Sequence, residues 1–495
     1  MGRDIDRSEF TPEDRVRYRE KVKGNLAALR RLIDAGKLER DRRKIGVELE
    51  TCLTDDDGNA AAINAELLER IASHEFQTEL AQYQIEFDLE PRWFHGDALS
   101  RIEGELRQSL DRAEEQARTL DAHVMIVGIL PTLADFNITE QNLSANERYK
   151  ALNDEILGMR GEDFVIHIEG EETLRITANS ILFEAACQAL QLHLQVNPED
   201  FAAYWNVAQA LSGPVLAAGA NSPFLLGKQL HHETRIALFE QSIDTRTEEL
   251  AQQGVRPRVW FGEKWLTEGV FELFDENVRY FPTLLPVCDD EDPDEELAAG
   301  RAPRLPELSL HNGTIYRWNR PVYGVVDGRP HVRIENRVLP SGPTVIDCVA
   351  NAALFYGMLR GLYSQRPQVW QEMSYHAATD NFFGAARHGL DAKMFWPNIG
   401  EGVPVSELLL RHLVPLARRG LEECEIDAGD VDRLLGIVSE RVVARRNGAS
   451  WQIAAHRHLL DVEGAHADEA LHELVRRYQR HSQDGEPVHT WPVDA

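Results

Sequence analysis

The stretch Ile45-Gly46-Val47-Glu48-Leu49-Glu50 decides the fold, because apolar and polar residues alternate along it. Residues two apart in a strand project to the same side, so Glu48 and Glu50 share one face while the apolar side chains form the other. Residues 84–90, 190–196 and 332–337 alternate in the same way. If these four ligand strands lie in one sheet, the sequence predicts a polar surface suited to a divalent metal and nucleotide phosphates.

The polar faces of the later ligand strands carry chemically useful side chains. These are Glu86 with its acidic neighbours, then Gln191, His193 and Gln195, then Arg333, Glu335 and Arg337. Magnesium prefers carboxylate oxygens, and an arginine fork binds phosphate through two parallel hydrogen bonds. The residue types therefore favour a metal- and phosphate-binding surface over a purely structural sheet.

Composition bounds the class of protein. The chain has 495 residues and a formal net charge of −29, which argues against nonspecific binding to nucleic acid. Five scattered cysteines form no CxxC pair and indicate a reducing compartment. Residues 1–6 start no apolar signal segment, and no apolar run reaches the roughly 18 residues of a membrane span. We expect a cytoplasmic, soluble protein without a membrane partner.

Hydrophobic periodicity predicts a mixture of helices and strands. Helices are expected at residues 12–43, 64–73, 98–122 and 199–217, and again at 345–363, 404–419, 428–445 and 465–480. Residues 125–131 read as a further buried strand, and the acidic, proline-bearing residues 286–307 as a loop or lid. Strands interspersed with helices predict an α+β fold.

The same pattern divides the chain into three predicted units. Residues 1–44 form an N-terminal helical segment, 45–345 a catalytic domain, and 346–495 a helical region packed on that domain. The sequence leaves open whether the protein forms a homo-oligomer.

Several short motifs resemble the glutamate–cysteine ligase superfamily, in its bacterial carboxylate–amine ligase and plant-type branches. The matching pieces lie in order between residues 45 and 460. They are the opening stretch at 45–50, the segment from Glu79 to Glu86, Asn146-Glu147-Arg148-Tyr149, Asn221-Ser222-Pro223-Phe224 with Gly227-Lys228, Glu335-Asn336-Arg337, and Asn447-Gly448-Ala449-Ser450-Trp451-Gln452.

The resemblance implies a glutamine-synthetase-like fold, in which an antiparallel sheet forms a cup with flanking helices. It also implies ATP-dependent ligation with Mg²⁺, or Mn²⁺ in its place. A carboxylate attacks the γ-phosphate, and an amine captures the acyl phosphate to give an amide, ADP and phosphate. In glutathione biosynthesis the two substrates are glutamate and cysteine.

The resemblance also assigns roles to individual residues. It implies a metal site formed by Glu48, Glu50, Glu79, Glu86, His193 and Glu335. Arg337 matches the arginine that contacts the transferred phosphoryl group, and Arg320 is expected to bind a substrate carboxylate. Arg235, Lys228 and Arg333 are the expected nucleotide contacts.

Structural explanations compete with several of these roles. His193 lies among leucines and is equally consistent with a satisfied core histidine, and Arg333 with a structural salt-bridge partner. Lys228 lacks a surrounding phosphate-binding loop, which excludes a P-loop. The Asn221 motif reads either as a turn or as a substrate wall.

Two stretches depart from the bacterial branch of the family. Gln191 stands where that branch has a second histidine, and residues 128–132 lack its glycine run and histidine. Pockets that choose the amino-acid substrate lie in such regions, so the identity of the acceptor stays open. The alternatives are the same ligation with another acid or amine, a noncatalytic nucleotide-binding scaffold, and a metal-dependent amidohydrolase.

Overall fold

A computed structural model describes residue 5 and residues 8–40 and 43–494. It contains a curled antiparallel sheet surrounded by helices, with a helical C-terminal region. The strands are, in chain order, β1 (Lys44–Asp55), β2 (Phe76–Thr78), β3 (Gln84–Asp88), β4 (Arg92–Trp93), β5 (Ala122–Met125), β6 (Phe164–Glu169), β7 (Thr173–Ala178), β8 (Leu190–Val196), β9 (Phe224–Leu225), β10 (Lys228–Gln229), β11 (Val259–Trp260), β12 (Tyr316–Arg317), β13 (Asn319–Val326), β14 (Arg329–Asn336), β15 (Lys393–Trp396) and β16 (Gly400–Pro404).

Helices occupy most of the remaining chain. They are α1 (Pro12–Asp34), α2 (Asn64–Ile71), α3 (Ala98–Arg118), α4 (Glu147–Arg160), α5 (Phe201–Gly219), α6 (Thr234–Ser242), α7 (Glu248–Gln252), α8 (Val270–Tyr280), α9 (Pro293–Ala298), α10 (Pro306–Gly313), α11 (Val345–Gln365), α12 (Tyr375–His388), α13 (Val405–Leu408), α14 (Val414–Glu423), α15 (Ala428–Val443), α16 (Gly448–Asp461) and α17 (Ala467–Asp484).

The main sheet has eight strands, in the order β13-β14-β8-β1-β3-β2, and β4 and β5 also pair with β1. All of these pairings are antiparallel. The four ligand strands predicted from the alternation are therefore neighbours, as β14, β8, β1 and β3. The predicted α+β fold, with an antiparallel cup, flanking helices and a helical C-terminal region, is confirmed.

Two long helices, α5 and α11, form the centre of the helical layer and pack against each other. The Tyr356 hydroxyl of α11 donates to the carbonyl oxygens of Gly46 and His193, which ties this layer to β1 and β8. By length and composition alone α11 is apolar enough to cross a membrane, but 94% of its apolar window is buried inside the fold.

Most predicted helices are present with shifted ends, and each shift has a local cause. Helix α1 ends at Asp34 instead of extending toward residue 43, because Gly36 adopts a positive φ of 61° just after it; residues 41 and 42 of that prediction lie outside the described chain. The helix predicted at 404–419 is interrupted by a π-helical turn at Leu409–Leu413. Pro415 has no N–H to continue the ladder.

Two predictions for irregular regions were wrong. Beyond Met125 the buried run 126–131 is not a strand, because Gly128 bonds to the main chains of Gln188 and Asn221 instead of joining a ladder. The stretch 286–307 is not a continuous loop, since it contains α9 and the start of α10. The division of the chain into three units stays a prediction.

Candidate functional site

The register of the sheet brings the predicted ligands into adjoining rows. Glu48 of β1 stands opposite Asp88 of β3 and Gln191 of β8. Glu50 stands opposite Glu86, and Glu335 of β14 stands opposite His193. Residues far apart in the chain thus converge on one face because their strands are neighbours.

Three carboxylates form the acidic cluster, which consists of Glu48, Glu86 and Asp88. One ligand oxygen from each lies within 4.8 Å of the others. Glu48 and Glu86 are buried, and Oε1 of Glu86 and Oδ1 of Asp88 accept no hydrogen bond from the described residues. Buried carboxylate oxygens without donors are the ligands that a hard divalent cation such as Mg²⁺ or Mn²⁺ prefers, so this donor set fits such an ion.

Burial and mutual repulsion disfavour the charged form of Glu50, Glu86 and Asp88, whereas the pKa of Glu48 is lowered despite its burial, with contributions from His193 and Arg333. Burial raises the pKa of Glu50 to about 7, with a further contribution from the Glu86 charge. Burial, together with Glu48 and Glu86, raises the pKa of Asp88 to about 7. Burial and the carboxylates around Glu86 also raise its pKa. A bound cation would relieve this repulsion.

One strand further, Glu335 has the opposite environment. Its carboxylate pairs with Arg320 at 2.8 Å and with Arg337 at 2.7 Å. These two guanidinium groups outweigh burial and hold the pKa of Glu335 well below its usual range. The three residues form the arginine cluster, which presents two positioned guanidinium groups on the same face as the acids.

Gln191 joins the two clusters. Its Nε2 donates to Oε1 of Glu50 at 2.8 Å, and its Oε1 accepts from Nη1 of Arg337 at 2.5 Å. A side-chain amide can donate to an acid and accept from an arginine at the same time, so both polar atoms of Gln191 are hydrogen-bonded. The glutamine that departs from the two-histidine pattern is therefore a bridge between an acid and an arginine.

His193 and Arg333 contact each other beside the acidic cluster. Nε2 of His193 lies 2.9 Å from Oε1 of Glu48, and Nε of Arg333 donates to Nδ1 of His193 at 3.2 Å. The accepting Nδ1 places the proton of a neutral ring on Nε2, facing Glu48. Both contacts are compatible with a ligand role and with a satisfied core histidine, so the role of His193 stays a prediction. Arg333 contacts the acidic cluster through this ring.

A cavity of about 220 Å³ opens in front of the two clusters. It is lined by Glu50, Glu79, Glu86, Gln191, Arg320 and Arg337, and also by Asn146, Arg148, Tyr149, Glu184, Gly313 and Tyr316. Glu79 reaches it from the turn after β2, and burial raises its pKa. The cavity combines acids, arginines and aromatic rings, as a site for charged substrates requires.

Sequence reasoning missed three residues of this site. Asp88 lies two residues after Glu86 on an alternating strand, so the rule that found Glu86 also identifies it. Arg148 lines the cavity from the first turn of α4, and it makes no ion pair with any residue that the structure describes. Glu184 lies on a 3₁₀ segment, and burial raises its pKa to about 7. No sequence period places the last two in a cavity.

None of the three predicted nucleotide contacts lines the cavity, and Arg333, the first of them, lies beside His193. Lys228 is half-exposed and pairs with Glu172 at 2.8 Å. Arg235 is buried, where it binds Glu233 and the carbonyl oxygen of Val338. Residues 128–132, expected near the substrate, do not line the cavity either. The geometry does not support direct substrate contacts for these residues.

Comparisons with known proteins agree with this architecture. The model of glutamate–cysteine ligase family 2 (GCS2) matches residues 44–477. The structure of a glutamate–cysteine ligase from Francisella tularensis in complex with AMP superposes with a TM-score of 0.53 at 12% identity, covering 91% of each chain. That of a bifunctional glutathione synthetase from Pasteurella multocida gives 0.50 at 11%, covering 95% of this chain and 55% of that one. At such identities these structures show a shared fold. No curated protein sequence matches significantly.

Proposed function

Because the chain belongs to glutamate–cysteine ligase family 2, and so is an ATP-dependent carboxylate–amine ligase, we propose that it joins the side-chain carboxylate of glutamate to the amino group of cysteine. The observation that carries the proposal is that the acidic cluster, through Glu86, and the arginine cluster, through Arg320 and Arg337, reach one cavity. The first set of side chains suits a metal, and the second suits phosphate and carboxylate groups. The product, γ-glutamylcysteine, places the protein in glutathione biosynthesis.

The proposed reaction has two balanced steps. A carboxylate oxygen of glutamate attacks the γ-phosphorus of ATP, the bond to the β,γ-bridging oxygen breaks, and ADP leaves. The amine then attacks the acyl carbon, the carbon–oxygen bond breaks, and phosphate leaves with that oxygen. The amine gives up one proton. Both bonds are made by substrate atoms, so the protein contributes positioning and electrostatics.

The metal-binding role falls to the acids of the sheet. Glu48, Glu86 and Asp88 would hold a first Mg²⁺ or Mn²⁺, and Glu50, Glu79, His193 and Glu335 stand around them as further ligands or supports. When bound, such an ion supplies positive charge to the phosphate oxygens.

Arg337 and Arg320 would meet the anionic groups of the reaction. Glu335 fixes both guanidinium groups, so little ordering remains to be done when a substrate arrives. Arg337 is proposed to stabilise the transferred phosphoryl group and Arg320 the carboxylate of glutamate. Arg333 lies two residues before Glu335 on β14 and is proposed to orient His193.

Arg148 and Glu184 support an amino acid as the acceptor. Arg148 offers a guanidinium group with no ion-pair partner among the described residues, which is suited to a carboxylate. Glu184 faces the same cavity and is suited to an ammonium group. A simple amine would leave Arg148 without a partner.

Two measurements test the proposal. Mass spectrometry after incubation with ATP, Mg²⁺, glutamate and cysteine should find γ-glutamylcysteine and ADP in equal amounts. Glutamate labelled with ¹⁸O in its side-chain carboxylate should transfer one label to the released phosphate. A product formed without ¹⁸O in phosphate would contradict the acyl phosphate.

The choice of acceptor is tested separately, because Gln191 and residues 128–132 depart from the bacterial branch. ADP release is measured with glutamate and each amino acid in turn. Glutamate-dependent release that cysteine does not increase, but another amino acid or amine does, would keep the chemistry and replace the acceptor.

A further inference from the structure

Two sequence motifs that the reaction does not use meet in the interior. Asn221 follows α5, and Gln452 lies in α16. Nε2 of Gln452 donates to Oδ1 of Asn221 at 2.8 Å, and the main-chain N–H of Ala449 donates to the carbonyl oxygen of Ala220 at 2.8 Å. A Cβ on Gly448 would come within 2.0 Å of Oδ1 of Asn221, so this approach requires glycine.

The contact continues toward the sheet. Nδ2 of Asn221 donates to the hydroxyl of Tyr478 in α17 at 2.8 Å and to the carbonyl oxygen of Ser341 at 2.7 Å. The Ser341 hydroxyl donates to the carbonyl oxygen of Glu50 at 2.5 Å and lies 3.3 Å from that of Ala189. The main-chain N–H of Ala189 in turn donates to Oε2 of Glu50 at 2.6 Å. An unbroken chain of hydrogen bonds thus joins the C-terminal helices to Glu50.

This chain of hydrogen bonds is buried. Asn221, Ser341 and Gln452 have no exposed surface, and Tyr478 is 1% exposed. Asn221 uses both side-chain N–H groups and its oxygen, and its main-chain N–H binds Glu233 at 2.6 Å. Oε1 of Gln452 accepts no hydrogen bond from the described residues. The other polar atoms named here are paired, so a shift of any of them would leave a buried group unpaired.

We infer that Asn221 and Ser341 are positioning residues for Glu50, and that the helices carrying Gln452 and Tyr478 set the geometry of the metal strand through them. The inference rests on the proposed function, in which Glu50 serves the metal site. None of these four residues lines the cavity, so they do not contact a substrate there, and the chain of hydrogen bonds described above connects them to it through Glu50.

The test compares Ser341→Ala and Tyr478→Phe with matched controls. Ser242→Ala removes a fully buried hydroxyl from α6, and Tyr18→Phe removes one from α1 that donates to Glu307. Glu50→Gln reports the direct loss of the acid. For each folded variant the dissociation constant of Mn²⁺ is measured by electron paramagnetic resonance without nucleotide, and the melting temperature by calorimetry.

Removal of a group that supports a metal ligand commonly weakens metal binding ten- to a hundredfold. Ser341 contacts only the main chain of Glu50, so we expect an effect at the lower end of that range. We expect Ser341→Ala to weaken Mn²⁺ binding about tenfold and Tyr478→Phe by a few-fold, with the controls unchanged. The double variant should bind like Ser341→Ala alone, because both residues act through one chain.

Three results would overturn the inference. Binding in Ser341→Ala and Tyr478→Phe equal to that of the controls, at matched melting temperatures, would leave these residues a structural role only. If the loss of Mn²⁺ affinity in the double variant equals the product of the two single losses, the two residues act independently and not through one chain of hydrogen bonds. Unchanged Mn²⁺ binding in Glu50→Gln would show that Glu50 does not serve the metal site. The role proposed for Glu50 and the inference built on it would then both be wrong.

Discussion

The acidic cluster and the arginine cluster lie on one sheet but give their carboxylates different electrostatic environments. Glu335 lies between two arginines, and its pKa is lowered despite burial. Burial raises the pKa values of Glu86 and Asp88, and no lysine or arginine of the described chain lies within ion-pair distance of either. The arginine cluster contains its own counter-charge. In the acidic cluster Glu48 lies beside His193 and its pKa is lowered, whereas for Glu86 and Asp88 the counter-charge that we propose is a bound cation.

This difference suggests separate roles for the two clusters, one in binding anions and the other in binding a cation. The arginine cluster is complete without a ligand and is therefore preorganised for an anion. The acidic cluster is strained by its own charge until a cation binds, so its stability and its metal affinity are linked.

The largest expected effect comes from neutralising one acid in each cluster. Glu335→Gln leaves Arg320, which is buried, and Arg337, which is partly buried, without a charged partner and should lower the free energy of unfolding by about 3 kcal/mol. Glu86→Gln relieves repulsion and should raise the melting temperature of the metal-free protein. Calorimetry in chelator measures both variants, and a shift of the same sign in both would contradict the comparison.

The next effect concerns catalysis by the arginine cluster. Arg337→Ala removes the guanidinium proposed to face the transferred phosphoryl group, and we expect kcat to fall about a hundred- to a thousandfold. Mn²⁺ binding should change far less, since the acidic cluster is retained. A rise in KM with unchanged kcat would assign Arg337 to substrate binding instead.

A smaller effect tests the ligand that sequence reasoning missed. Asp88→Asn should weaken Mn²⁺ binding at least about tenfold, because it removes one of three converging carboxylates. Glu75→Gln is the matched control, since Glu75 is exposed and pairs with Arg112. Equal binding in the two variants would exclude Asp88 from the site.

The sequence predicted the sheet better than the cavity, for a physical reason. Alternation identifies which side chains of a strand share a face, and Glu48, Glu86, His193 and Glu335 do face one another because their strands are neighbours. The run 126–131 was misread, because a buried apolar segment looks the same whether it pairs in a sheet or bonds to loops.

The rest of the site depends on tertiary structure. Arg148 and Glu184 reach the cavity from a helix start and a 3₁₀ segment, whose directions no local period determines. Lys228 and Arg235 carry suitable charge, but Glu172 and Glu233 already pair with them. Charge and motif order identify candidate residues, whereas their partners are known only from the fold.

The smallest expected effect is the pH dependence of metal binding. Burial raises the pKa of Glu50 to about 7, with a further contribution from Glu86 and against the effect of Arg337. A raised pKa means that the folded, metal-free protein holds a proton on Glu50, so its stability falls as pH rises from about 4.5 to about 7. Metal binding displaces that proton.

Glu50 should therefore contribute about a threefold rise in Mn²⁺ affinity between about pH 6.5 and 7.5, and Asp88, whose pKa is also about 7, should contribute a similar factor. Proton release should be larger at the lower pH. Isothermal titration calorimetry in buffers of different ionisation enthalpy counts the protons. Glu50→Gln should bind more weakly and lose its share of the proton release. Affinity that is flat or falling over this range, with no protons released, would show that the acids are already ionised without a cation, and the contrast between the two clusters would be lost.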